Sequence, residues 1–250
     1  DDVLGANSGS LYVFDRSVDN RWSQSQKLVA SDGAGNDRFG WAVAIEDDTA
    51  VVTAFQADAP ADDSGAAYVL HRDQQGRWSE RQKLVDPNGA LGDNFGWSIA
   101  VSGNQIVVGA RFDDGRAHQS GSAYVFSANG DGVWKFVQEF TGNDTLQDDI
   151  FGSAVAINGD TIMVGVPARD EGLKDVGAVY IHDTSDPVCT ADGLCVCVDG
   201  AAGATCENRP SCGDGDRQLA EECDQGDANT DDCVYGQESC TVCNLHCDRS

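Results

Sequence analysis

Apolar and polar positions along residues 5–182 alternate in short runs, and no stretch holds the 3.6-residue period of a helix. The runs come in sets of four. FGWAVAI, FGWSIAV and FGSAVAI predict a first strand, and TAVVTA, QIVVGA and TIMVGV a second. A tight connection such as Asn158-Gly159 joins them, as in a hairpin. GSLYVF, GAAYVL, GSAYVF and GAVYIH predict a third strand. The fourth, RWSQSQKLV or RWSERQKLV, interleaves charge with apolar residues, the pattern of an exposed outer strand. The predicted class is all-β.

The sets recur at a fixed step. Tyr12, Tyr68, Tyr124 and Tyr180 lie 56 residues apart, and the same step relates Phe39-Gly40, Phe95-Gly96 and Phe151-Gly152. It also relates Trp22, Trp78 and Trp134, then Gln26, Gln82 and Gln138, then Val52, Val108 and Val164. Independent markers in one register identify a structural repeat, and four antiparallel strands per period describe a β-propeller blade.

The string G-D-x-F-G, followed by a VVGA-like strand and then GSAYVF, resembles the FG-GAP repeat of integrin α-subunit propellers and their bacterial relatives over roughly residues 5–182. The resemblance implies a strand order with the FG strand innermost, then VVGA, then YVF, and the W…QKLV strand outermost. The chain enters at one third strand, Tyr12, and leaves at another, Tyr180, so it spans about three 56-residue units. That is fewer than the roughly four to eight blades that close a propeller. An incomplete propeller is expected: a piece of a longer chain, an open arc, or a ring closed by further blades from the same or another chain.

All ten cysteines fall between Cys189 and Cys247, which places a boundary near residue 185. The expected domains are repeats over 1–185, an EGF-like segment over 186–208 and a disulfide-rich repeat over 209–250. Cys195, Cys197 and Cys206 lie in C-V-C-V-D-G-A-A-G-A-T-C, which resembles the closing half of an EGF-like module, with Cys189 before it. Pairing of Cys197 with Cys206 and of Cys189 with Cys195 is one of three connectivities open to four cysteines. Cys212, Cys223, Cys233, Cys240, Cys243 and Cys247 lie in a CGDG…EECD-x-G…C-x-x-C-x-x-x-C pattern similar to the myxobacterial disulfide repeat of secreted and surface proteins. Cys240, Cys243, His246 and Cys247 also have zinc-like spacing, but an even cysteine count in an acidic chain favours disulfides and an oxidising compartment. The expected localisation is secreted or cell-surface.

Charge narrows the partners. With 42 acidic and 16 basic residues the net charge is −26, so a nucleic-acid backbone would be repelled. No run approaches the ~18 apolar residues of a membrane helix, so no membrane insertion is expected in this segment. His71-Arg72-Asp73 has the letters of a kinase catalytic loop without a Gly-rich loop or nucleotide lysine, and no G-x-S-x-G, H-E-x-x-H or P-loop occurs. His71 and His182 share a repeat position with Asp15 and Ser127, an interchange expected of an exposed turn. A non-enzymatic chain is expected.

Calcium is left open as a cofactor. Integrin-type repeats carry a D-x-D-x-D-G loop between the first two strands, whereas the turns here, Glu46-Asp47-Asp48, Ser102-Gly103-Asn104 and Asn158-Gly159-Asp160, are too short to wrap such an ion. Acids gather elsewhere. Alternating strand direction brings the second-to-third loops and the connections into each FG strand to one end of the sheet. The first set contains Asp58, Asp62, Asp63, Asp113, Asp114, Asp170, Glu171 and Asp175, and the second contains Asp32, Asp37, Asp86, Asp93, Asp144, Asp148 and Asp149. By resemblance this end is the candidate face for a protein or glycan ligand at the cell surface, with an architectural spacer or a carbohydrate-binding propeller as alternatives. Asp37, Asp93 and Asp149, two residues before Phe39, Phe95 and Phe151, suit a backbone-capping role. Gly40, Gly96 and Gly152 suit close packing near a propeller axis, and Trp41, Trp97, Trp22, Trp78 and Trp134 suit packing.

Overall fold

The computed structural model describes residues 2–129, 132–169 and 176–183, and the backbone alone of 188–189 and 195–196. Two compact units divide the chain, Asp1–His182 and Asp183–Ser250. Every regular element among the described residues is a strand.

In the first unit, β1 (Leu11–Arg16) and β2 (Trp22–Leu28) form a two-stranded sheet. β3 (Val43–Glu46), β4 (Thr49–Ala54), β5 (Ala66–Arg72) and β6 (Trp78–Leu84) make a four-stranded antiparallel blade, and β7 (Phe95–Ser102), β8 (Gln105–Ala110), β9 (Ser122–Ala128) and β10 (Trp134–Phe140) make the next. β11 (Ala154–Asn158), β12 (Thr161–Val166) and β13 (Ala178–Asp183) form three strands of a third. Each outer pair carries a register shift at the same place, Val13/Phe14, Val69/Leu70 and Phe136/Gln138. The repeat therefore extends to the bulge that twists the outer strand.

The strands alternate, so both faces of each blade are apolar, and successive blades pack face to face. Leu11, Val13 and Leu28 meet Phe39, Val52, Tyr68, Leu70 and Trp78 in one core. Val51, Ala67, Val69 and Leu84 meet Phe95, Ile106, Val108, Tyr124, Phe126 and Trp134 in a second, and Val107, Ala123 and Val125 meet Phe151, Ile162 and Val164 in a third.

The recurring markers turn out to be stitches between blades. The Gln26 side chain donates to the Trp78 carbonyl at 3.1 Å and accepts from the Trp78 amide at 2.8 Å. Gln82 repeats this with Trp134 at 2.6 and 2.9 Å. Nearer the axis, isolated parallel bridges join Gly9 to Phe39, Gly65 to Phe95 and Gly121 to Phe151. A Cβ on Gly65 would lie 2.0 Å from the Phe95 carbonyl oxygen, and one on Gly152 would lie 2.2 Å from that of Ser122. Both glycines also hold positive φ, 94° and 81°. Only glycine permits that approach.

In the second unit, β14 (Val188–Cys189) and β15 (Cys195–Val196) pair antiparallel, with Cys189 opposite Cys195. The side chains of Cys189 and Cys195, and the expectations for Cys197, Cys206, Cys212, Cys223, Cys233, Cys240, Cys243, Cys247 and the zinc alternative, lie outside the described residues, as do Asp170, Glu171 and Asp175.

Candidate functional site at the loop end

The second-to-third loops and the connections into each FG strand meet at three equivalent nodes, each built on a third-strand tyrosine. In the first, the Tyr68 hydroxyl donates to Asp32 at 2.9 Å and Lys83 reaches the other Asp32 oxygen at 2.7 Å. Burial pushes the Asp32 carboxyl up, but the bonds from Lys83 and Tyr68 outweigh it and hold the group below its ordinary value.

In the third node, Tyr180 bonds to Asp144, and Arg169 pairs with Asp144 at 2.7 Å and reaches Asp149 at 3.6 Å. Arg169 is buried, and the Tyr180 and Arg169 bonds keep Asp144 ionised.

The middle node has no such cation. Tyr124 donates to Asp86 at 2.7 Å and also contacts Asp113, while Glu139 stands where the first node has Lys83. Asp113 stands at the repeat position of Ala57 and Arg169. Oxygens of Asp86, Asp93 and Asp113 lie within 4.8 Å of one another, and all three residues are buried. Burial, reinforced by the charges of Asp93, Asp86 and Glu139, pushes the Asp113 carboxyl up to about 7 despite the Tyr124 bond. Burial raises Asp93 too. Asp86 and Asp113 share the one Tyr124 hydroxyl, and the third, Asp93, accepts the Ala90 amide. The arrangement is a buried acid cluster in which the Asp113 carboxyl is the one pushed up furthest.

The acids expected at a ligand face divide by role. Asp58 and Asp114 accept the amides of Asp63 and Gln119 at 2.9 and 2.7 Å, as Asp2 does for Asn7 at 2.6 Å, so they close their loops. Asp62 and Asp114 are exposed, Asp63 is half-buried, and Asp113 points inward. Asp37, Asp93 and Asp149 accept the amides of Ala34, Ala90 and Leu146 at 2.7, 2.5 and 2.7 Å. They clamp the turns that lead into Phe39, Phe95 and Phe151.

Three expectations change, the first being that Trp22, expected to pack, is 66% exposed on β2. Trp41 is 43% exposed rather than packed away; it stands two residues before β3, with Trp97 at 4.8 Å and Phe55 at 4.5 Å beside it. The Arg111 guanidinium lies over Trp97, 3.2 Å from the ring centroid. His182 does not occupy an exposed turn: it lies within β13, stacks on Phe140 at 4.2 Å, and burial lowers its basicity. His71 is exposed, but it lies within β5. Missed altogether in the sequence were the tyrosines as node centres and Lys83 and Arg169 as their cations. The 56-residue step carried that signal, since it aligns Ala57, Asp113 and Arg169.

Comparison with known proteins follows the same register. A model of the FG-GAP repeat matches residues 22–70, 78–126 and 134–182. No curated protein matches the chain. Among solved structures, the periplasmic gluconolactonase of Pseudomonas aeruginosa is similar at 15% identity and a TM-score of 0.43, covering 70% of this chain and 46% of its own. A protein from Lactobacillus plantarum is similar at 16% identity and a TM-score of 0.41, covering 72% and 54%. The chain spans about half the length of these two structures.

Proposed function

The chain belongs to the FG-GAP repeat family, and from that premise we propose that it is a non-catalytic adhesion or ligand-binding module acting at the cell surface or outside the cell. The observation that carries this reading is the loop end. Tyrosine–aspartate nodes and Asp58/Asp114 staples hold its loops, so exposed carboxylates such as Asp62 and Asp148 stand on a fixed base. A rigid loop set loses little conformational entropy on binding a protein or glycan, which favours a recognition role.

Binding of the immobilised chain to a panel of extracellular-matrix proteins and glycans, with and without calcium, tests it. The expected result is a ligand whose binding weakens at least tenfold in the Asp62→Asn, Asp63→Asn, Asp148→Asn variant. A panel without any ligand, or a variant that binds as the parent does, would leave the architectural-spacer reading instead.

A further inference from the structure

The first full blade carries a cleft at the end opposite the acid nodes, where the β3–β4 and β5–β6 turns close. Its volume is about 530 Å³, within the roughly 300–1,000 Å³ of small-ligand sites. Every residue lining it belongs to that one blade, and a described sheet packs on either side of the blade. The cleft is shaped by residues of this blade alone.

Three of its lining side chains bring nitrogen donors, His71, Arg72 and Arg81. In a chain with 42 acidic and 16 basic residues, a basic side chain is expected to sit against a carboxylate, as Lys83 and Arg169 do. Arg72 and Arg81 form no ion pair among the described residues, and the buried Nε of Arg72 has no hydrogen-bond partner among them either. A buried donor without a partner requires an explanation. The repeat supplies none. One step on, the same positions hold Ser127, Ala128 and Val137, and one step back they hold Asp15, Arg16 and Ser25, with the same strand pairing each time. The set of donors therefore belongs to this cleft and not to the fold.

The rest of the wall is acid and amide. Asp48 is exposed, Asp73 holds the Gln75 and Arg77 amides on Oδ1 at 3.0 and 2.8 Å, and Gln74 and Gln75 add carboxamides. Two carboxylates in the wall repel a doubly charged phosphate. A single carboxylate instead pairs with guanidinium groups through parallel hydrogen bonds, and hydroxyls match the acid oxygens and carboxamides. No apolar residue lines the cleft, so an apolar ligand finds no platform.

We propose that this cleft binds an acidic sugar, a uronic acid whose carboxylate lies between Arg72 and Arg81 and whose hydroxyls meet Asp48, Asp73 and the two glutamines. It is a second site, at the opposite end of the blade from the loop face and independent of what that face binds.

Calorimetric titration of the whole chain with glucuronate and galacturonate, to about 20 mM and beside glucose and inorganic phosphate, tests the proposal. The expected result is saturable binding of at least one uronate, at least tenfold tighter than glucose or phosphate. Arg81→Gln, at an exposed position, should weaken that binding at least tenfold at the parent's melting temperature, and Arg72→Gln should do the same. If Arg72→Gln melts early, Arg81→Gln decides the matter by itself. The loop-face variant Asp62→Asn, Asp63→Asn, Asp148→Asn should bind the uronate as the parent does, which separates this site from the loop end. Absence of uronate binding would overturn the proposal, as would glucose or phosphate bound equally tightly. So would an Arg81→Gln variant that binds like the parent, or loss of uronate binding in the loop-face variant.

Discussion

Replacing Asp113 with asparagine should remove most of the pH dependence of this fold's stability between pH 4 and 8. Asp113 is buried among Asp86, Asp93 and Glu139 with no basic side chain at its node, and its carboxyl is pushed from 3.8 to about 7. Its folded value is raised, so between those limits the folded state binds the extra proton, and stability falls as pH rises through the window. Below the lower limit both states are protonated and the group contributes nothing. Above the upper limit the full cost is present. About three units at ~1.4 kcal/mol each set that cost at up to ~4 kcal/mol. Relaxation and water entry reduce it, and an effect of ~2 kcal/mol would already be decisive.

Asparagine keeps an oxygen for the Tyr124 hydroxyl but carries no charge to bury. Urea unfolding followed by tryptophan fluorescence at pH 5, 6.5 and 8 measures the difference. The parent should lose stability from pH 5 to 8, and the variant should lose less and exceed the parent at pH 8. A residual slope of the same sign is expected in the variant, because burial also raises Asp37 and Asp93. Parallel curves for parent and variant would refute the claim that the middle node stores an uncompensated acid.

The stitches and nodes give further tests. Gln82→Ala removes both bonds to the Trp134 backbone and should cost ~1–3 kcal/mol in urea unfolding, with an unchanged strand signal by circular dichroism. Gly152→Ala puts a Cβ 2.2 Å from the Ser122 carbonyl oxygen at a φ of 81°, and should lower the melting temperature by the equivalent of at least ~2 kcal/mol. Arg169→Ala should destabilise more than Lys83→Ala. The first leaves buried Asp149 without its nearest cation, whereas the Lys83–Asp32 pair is partly solvated and worth at most ~1 kcal/mol. Equal melting temperatures for those two variants would count against the node comparison.

Much of the frame was readable from the order of residues alone. A strand alternates with period two and a blade with period 56, so the repeat length and the four strands follow from local spacing, while the family came by resemblance of the strand motifs. What Gln26, Gln82 and the Phe-Gly pairs do was not readable, because each acts on backbone in the next blade, 52 residues away for the glutamines. Burial was not readable either. Asp113 and Asp114 are neighbours of one type, yet one enters a node while the other closes a loop, since successive side chains point in different directions once the loop is folded.

The sequence by itself therefore determined the repeat, its strands and its acidity, all properties of spacing and composition. Only the tertiary structure decided which acids are paired, which are buried without a cation, and which apolar faces neighbouring blades cover. Those properties depend on what lies across an interface, and the residues facing one another there are half a hundred positions apart in the chain.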